Sequence, residues 1–150
     1  MISKPRLEVG SQAVVSRTIS ESDLYLFAGI TGDLGPNHMD EEYARKFTSV
    51  GKRVLHGAYM VGLASAASTL LGDRYDKGAY RGASYGYDKV RFIKPVFIGD
   101  TITMTYTIRE MDAENLKTYA DILGTNQHGD VVFAAVHIAK GLPQKPGAPR

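Results

Sequence analysis

The strongest periodic signal in the chain is "TITMTYTIR", residues 101–109, where Ile102, Met104, Tyr106 and Ile108 alternate with threonines. Strict alternation places one set on each face of an extended chain, so the segment predicts a half-buried strand. "QAVVSRTI" (12–19), "KVRFI" (89–93), "LKTYADIL" (116–123) and "VVFAAVHIA" (131–139) read as further strands, the last two separated by the turn "GTNQHGD". In "KPVFIGD" (94–100), Pro95 belongs at an edge, bend or strand end, because it cannot donate to a ladder.

Helical patterning occupies the first half of the chain. In "SESDLYLFAGITG", Ser20 and Asp23 stand at capping-box spacing, Leu26, Phe27 and Ile30 form one apolar face, and Gly32 supplies a stop. Asp40 caps a short helix, "EEYARKF", whose first turn carries Glu41 and Glu42 at the positive helix end; Met39 and Ala44 stand at staple spacing. The longest uncharged run, Gly57 to Gly72, has 16 residues. That is short of the roughly 20 needed to span a bilayer, so it predicts a helix starting near His56–Gly57 and buried on nearly all sides within a protein. "DRYDKGAYRGASYGYDK" (73–89) reads mostly as loop, and "GLPQKPGAPR" (141–150) as a disordered tail beyond a single domain at 1–140.

These elements predict an α+β fold. A single long apolar helix needs a curled antiparallel sheet wrapped around it, the strands after it can meander through short connections, and a second copy would protect the open sheet edge. Composition narrows the function classes. At 150 residues and 16.3 kDa, with 43% hydrophobic and 23% charged residues, the chain is a globular domain with room for a core. A net charge of +2 is too small to indicate a nucleic-acid partner. The lack of cysteine excludes disulfides, thiolate metal sites and a cysteine nucleophile. The N-terminus lacks a signal-peptide pattern, which predicts a cytoplasmic protein without a membrane partner.

Candidate chemistry concentrates in "ITGDLGPNHMDEEYA", residues 30–44, which sets Asp33 and His38 on either side of a Leu-Gly-Pro-Asn interruption. Loops that interrupt regular structure are frequent carriers of function. The other histidines have ordinary readings: His137 is structural within an apolar strand, His128 is solvated in a turn, and His56 caps or packs the long helix.

The wider stretch "FAGITGDLGPNHMDEEYA" resembles the signature of the MaoC-like, or R-specific enoyl-CoA hydratase, family, whose core is G-D-x-N-P-x-H. Gly32, Asp33, Pro36, His38 and Asp40 match in register, and the likeness extends through "LEVG" (7–10), "VLHGAYMVGL" (54–63) and "KPVFIGD". The resemblance implies a hot-dog fold, in which a sheet wraps one long helix and two subunits pair. It also implies reversible hydration of a trans-2-enoyl-CoA to an R-3-hydroxyacyl-CoA, with no cofactor beyond the CoA thioester as substrate. Asp33 and His38 then become the acid–base dyad around one shared water, and the Gly57 N–H becomes the donor to the thioester oxygen. Close packing is the alternative reason for a glycine at 57. His56 and Asn37 join Gly35 and Gly57 as substrate-side candidates, and no metal is implied.

The chain departs from the signature at two positions. Gly35 stands where the family usually has asparagine, and Asn37 follows the proline, where an aliphatic residue is usual. The paired change suggests a reshaped site, with Gly35 making room for a bulkier or more polar acyl group. Arg45, Lys46, Lys52 and Arg53 are either CoA-phosphate contacts or solvated charges, and Tyr80, Tyr85 and Tyr87 either shape the acyl end or pack a loop. The competing activities are a hot-dog acyl-CoA thioesterase and a non-catalytic acyl-CoA-binding protein.

Overall fold

The structure, a computed structural model, describes residues 5–75 and 80–143. Its elements run β1 (Gln12–Thr18), α1 (Glu21–Thr31), α2 (Pro36–Met39), α3 (Glu41–Phe47), α4 (Tyr59–Arg74), β2 (Tyr80–Phe92), β3 (Thr101–Asp112), β4 (Lys117–Thr125) and β5 (Val131–Pro143). One antiparallel sheet in the order β1-β3-β4-β5-β2 curls against α4, which packs on β1 and β3. This is the hot-dog architecture expected from the sequence.

The alternation in β3 has its predicted effect, since Ile102, Met104, Tyr106 and Ile108 are all buried facing the helix. Met60, Ala64, Ala67 and Leu71 of α4 meet them in one core with Ala13, Ala120, Ile122, Val132 and Phe133. His137 is buried in β5, its Nδ1 2.7 Å from the Tyr106 hydroxyl and its Nε2 2.9 Å from Ser84 Oγ. Both ring nitrogens are satisfied, as a structural histidine requires. Register shifts at Ser84/Gly86 and Asp88/Arg91 between β2 and β5, and at Ile108/Glu110 between β3 and β4, increase local twist and help the sheet curl.

Several boundaries differ from the sequence expectations. β2 begins at Tyr80, so much of the segment read as loop is strand; its glycines and tyrosines fit an irregular edge paired to β5. "KPVFIGD" forms no named strand and makes only the isolated bridge Val54–Phe97, with Pro95 just past the end of β2 as its chemistry demands. Only β3, β4 and β5 meander, because β2 crosses to the far edge beside β5. β5 continues to Pro143, three residues into the expected tail; residues 144–150 and the Tyr80 side chain lie outside the described part.

The apolar faces also need correction. Leu26 and Ile30 are 66% and 82% exposed, and α1 instead buries Asp23, Leu24 and Ala28. Helix α4 buries one face, leaving Gly62, Ser65, Ala66 and Thr69 exposed in the single chain. Its lack of charge comes largely from small residues, and the sheet covers one side. Among the described residues, no helix is long and apolar enough to cross a membrane.

What aims α1 is a buried charge. The Asp23 side chain is 3% exposed and accepts Arg17 Nε at 3.1 Å, Arg17 Nη2, the Ser20 N–H at 2.8 Å and the Tyr59 hydroxyl at 2.7 Å. Ser20 Oγ also lies 2.8 Å from the same carboxylate. Burial by itself would raise the Asp23 pKa, but these hydrogen bonds outweigh it and hold the carboxyl well below the usual range. Burial, with the bond to Asp23, pushes Tyr59 up to about 12, so its hydroxyl stays protonated and donates. At the other end, Gly32 adopts φ 76° and its N–H reaches the Ala28 carbonyl, a left-handed stop that turns the chain toward Asp33.

Because the folded-state pKa of Asp23 lies below its unfolded value, its stabilisation is present above the unfolded pKa of about 4 and fades as pH falls through the folded value. Asp23→Asn should cost about 1.5–3 kcal/mol at neutral pH, the range for hydrogen bonds to a charged group. Urea unfolding at pH 7 and at acid pH should show the gap to wild type narrowing in acid; a gap independent of pH would contradict this role for the carboxylate.

Candidate active site

The chain after Gly32 does not stay irregular. Pro36 opens a single helical turn, Pro36–Met39, and proline suits a first helical position because the N–H it lacks would have no partner there. Asp40 ends that turn and caps α3, accepting the Tyr43 N–H at 2.9 Å. The turn is bound to the extended segment before α4: the Val54 N–H donates to the Asn37 carbonyl at 3.1 Å, and His38 Nδ1 lies 2.7 Å from the Val54 carbonyl. Arg53 clamps the surroundings. Its side chain, only 10% exposed, joins Glu21 of α1 and, at 2.9 Å, Glu41 of α3, and reaches the Tyr25 hydroxyl at 3.2 Å.

These ties bring Asp33, His38 and His56 together, with a ligand-type atom of each within 4.8 Å of the others. The His38 and His56 rings stack with centroids 3.8 Å apart and planes inclined by 22°. Phe27 also packs on His56, with ring centroids 4.8 Å apart. His56 is 2% exposed, and its Nε2 lies 3.0 Å from the Asp33 main-chain carbonyl and 4.0 Å from the Asp33 carboxylate. Asp33 itself remains open to solvent, its Oδ1 3.3 Å from the Gly35 N–H.

Carbonyl oxygens only accept, so they assign the ring protons. His38 carries its proton on Nδ1, facing Val54, and in the neutral ring leaves an Nε2 lone pair beside Asn37 Nδ2 at 3.1 Å. His56 carries its proton on Nε2, facing Asp33, which leaves its buried Nδ1 without a hydrogen-bond partner among the described residues. A base with a fixed lone pair beside a solvent-accessible carboxylate can share and move the protons of one water. The three donors suit a metal poorly. Stacked rings send their lone pairs side by side, whereas a tetrahedral ion needs them to converge, and each ring has one nitrogen committed to a carbonyl.

The remaining sequence candidates divide. His56 packs as expected but does not cap α4, which begins at Tyr59 after a tight turn and has no side-chain cap. The Gly57 N–H has no backbone acceptor among the described residues, so it is free to donate. Gly57 is also tightly packed: a Cβ there would stand 2.9 Å from the Phe92 ring. The space beside Gly35 is not left for a ligand, because Asn37 Oδ1 would lie 2.9 Å from a Cβ at that position.

The basic residues lie against local partners. Arg45 and Lys46 meet Glu42 at 2.6 and 3.4 Å, Arg53 is engaged by Glu21 and Glu41, and Lys52 lies 5.9 Å from the Phe97 ring centroid. Tyr87 stacks on His137 at 4.5 Å, while Tyr85 is exposed beneath Lys117. Sequence reasoning missed the Val54 carbonyl and Phe92. A backbone acceptor leaves no mark in residue type, and Phe92 had only the appearance of a strand residue. A hollow of about 530 Å³ on the outer face of the sheet, lined by Thr105, Arg109, Asp121 and Leu123 among others, contains none of these site residues.

Comparison with known proteins identifies the family and the fold. The chain is 43% identical over 103 residues to an (R)-specific enoyl-CoA hydratase of Rhodospirillum rubrum, a match covering 68% of this chain and 66% of that protein. It is 35% identical over 139 residues to a 3-hydroxybutyryl-CoA dehydratase of Methylorubrum extorquens, covering 93% and 83% respectively. Its fold superimposes on the monoamine oxidase regulatory protein from Archaeoglobus fulgius with a TM-score of 0.80 at 30% identity, covering 93% of each chain. The (R)-hydratase from A. caviae gives 0.74 at 24% identity, covering 89% of this chain and 96% of that one, and bears on the fold alone. The family described as "MaoC like domain" matches residues 5–131, and this chain belongs to it.

Proposed function

We propose that the protein reversibly hydrates a trans-2-enoyl-CoA to an R-3-hydroxyacyl-CoA. The observation that carries this reading is His38, held as the Nδ1–H tautomer by the Val54 carbonyl, with a ring nitrogen within 4.8 Å of an Asp33 carboxylate oxygen. The names of the Rhodospirillum and Methylorubrum relatives supply the substrate class and the stereochemical sense. In the hydration direction His38 Nε2 takes a proton from water as its oxygen attacks C3. The dyad returns a proton to C2, so water is added across the double bond and no other reactant is needed. Asp33 orients the shared water and stabilises the imidazolium. As negative charge develops on the thioester oxygen, the free Gly57 N–H stabilises it, the usual use of a preorganised backbone donor. No cofactor enters this scheme; the CoA thioester is the substrate.

The active form is a homodimer in this reading. Support comes from the open edge of β2, a 13-residue strand, from the exposed small-residue face of α4, and from exposed Leu26, Ile30 and Leu34. Unpaired edges and contiguous apolar surface both favour association.

Asp33→Asn and His38→Ala should each lower turnover of crotonyl-CoA by at least about 100-fold, the low end for a positioned acid–base group, with folding retained. Combining them should add little, because the pair acts on one water. Loss of enone absorbance without release of free thiol identifies hydration, thiol release identifies a thioesterase, and neither signal identifies a binding protein. Near-normal hydration by either single variant would eliminate the dyad.

Sedimentation should report about twice 16.3 kDa for the active species. An active monomer at assay concentration would contradict the dimer.

Gly57→Ala should cost about 1–3 kcal/mol through overpacking against Phe92. Phe92→Ala in the same chain should recover most of that loss in urea denaturation; if the two effects simply add, the contact with Phe92 is not the reason for glycine.

A further inference from the structure

Gly35 and Asn37 flank Pro36, and their side-chain positions converge on one point. A Cβ at Gly35 would stand 2.9 Å from Asn37 Oδ1, 3.3 Å from His38 Cδ2 and 3.4 Å from Asp33 Oδ1. The first separation is closer than real Cβ contacts, so any side chain at 35 would push the Asn37 carboxamide. The other end of that carboxamide, Nδ2, lies 3.1 Å from His38 Nε2. Because His38 Nδ1 donates to the Val54 carbonyl at 2.7 Å, Nε2 of the neutral ring holds a lone pair, and the amide N–H donates to it.

We infer that Asn37 is a positioning residue for the base, and that Gly35 provides the space its carboxamide occupies. The two positions form one unit: the absent side chain at 35 allows the amide at 37 to reach the ring. With Val54 on Nδ1 and Asn37 on Nε2, both nitrogens of His38 are engaged before any substrate arrives, so tautomer and ring plane are set in advance. A water that takes its place on Nε2 finds the Asn37 amide alongside as a second polar contact. The catalytic consequence rests on the hydratase reading; the state of the His38 ring does not.

Among the described residues, two titratable groups face His38: Asp33 from the connection after α1, and His56 stacked on it from the segment before α4. The charges on neighbouring elements are engaged elsewhere, Arg53 with Glu21 and Glu41, and Asp40 with the N-terminus of α3. A donor on the lone pair shields Nε2, so its loss moves the ¹⁵N resonance of that nitrogen in the neutral ring.

The test is ¹⁵N NMR of the neutral His38 imidazole in the full chain, for wild type, Asn37→Leu, Gly35→Ala and the double variant. Wild type should show the Nδ1–H tautomer when neutral. Asn37→Leu should move the Nε2 resonance of the neutral ring downfield, toward that of an acceptor nitrogen without a donor. Gly35→Ala should move it comparably by displacing the amide, and the double variant should match Asn37→Leu alone. On crotonyl-CoA, both singles should lose about 3- to 10-fold in kcat, again non-additively. An unmoved Nε2 resonance in Asn37→Leu overturns the positioning role, and additive shifts overturn the pairing. The expected ring behaviour in a protein whose wild type hydrates no enoyl-CoA would uphold the positioning while refuting the hydratase reading.

Discussion

The Asp23 carboxylate is the constraint from which the site is built. A charge removed from water must be paired and hydrogen-bonded, or its burial is prohibitive. Here the partners come from three places: Arg17 at the end of β1, Ser20 at the cap of α1 and Tyr59 at the start of α4. Satisfying one carboxylate therefore sets the start of α1 against the start of α4. The direction of α1 then decides where its far end, and so Asp33, arrives. Arg53 makes a second clamp of the same kind, drawing Glu21 and Glu41 toward the segment that carries Val54 and His56.

Within that frame the backbone does much of the chemical work. Two main-chain carbonyls, from Val54 and Asp33, determine which nitrogen of each imidazole carries a proton. His38 keeps an Nε2 lone pair that meets the Asn37 amide at 3.1 Å, while His56 is packed against Phe27 and His38 with its free nitrogen buried. Rings of the same residue type thus take different roles because of the carbonyls they meet. Burial separates them further, one partly open and the other shut away from solvent.

A single copy of the chain leaves characteristic surface uncovered. Leu26, Ile30 and Leu34 point outward along α1 and the following loop, α4 shows a face of small residues, and β2 has one unpaired side. These features share a cause. The sheet can curl over only one side of α4, and the polar contacts of Asp23 rotate α1 so that Asp23, Leu24 and Ala28 face inward while Leu26 and Ile30 face out.

Local rules were sufficient for much of the fold. The two-residue period of β3, the Ser20–Asp23 cap, the Gly32 stop and the Asp40 cap depend on neighbours in the chain, and all can be read from residue order. So can the presence of Asp33 and His38 in one interrupted stretch. Tertiary structure decided what depends on distant partners. It drew "RGASYGY" into β2 through pairing with β5, and it turned Leu26 and Ile30 of α1 outward. It also stacked His56 on His38 from a separate part of the chain, and filled the space at Gly35 with the Asn37 carboxamide. Residue order records periodicity and capping because these act within a few residues; it does not record which carbonyl faces an imidazole or which element covers an apolar face, because those are settled only when the chain packs.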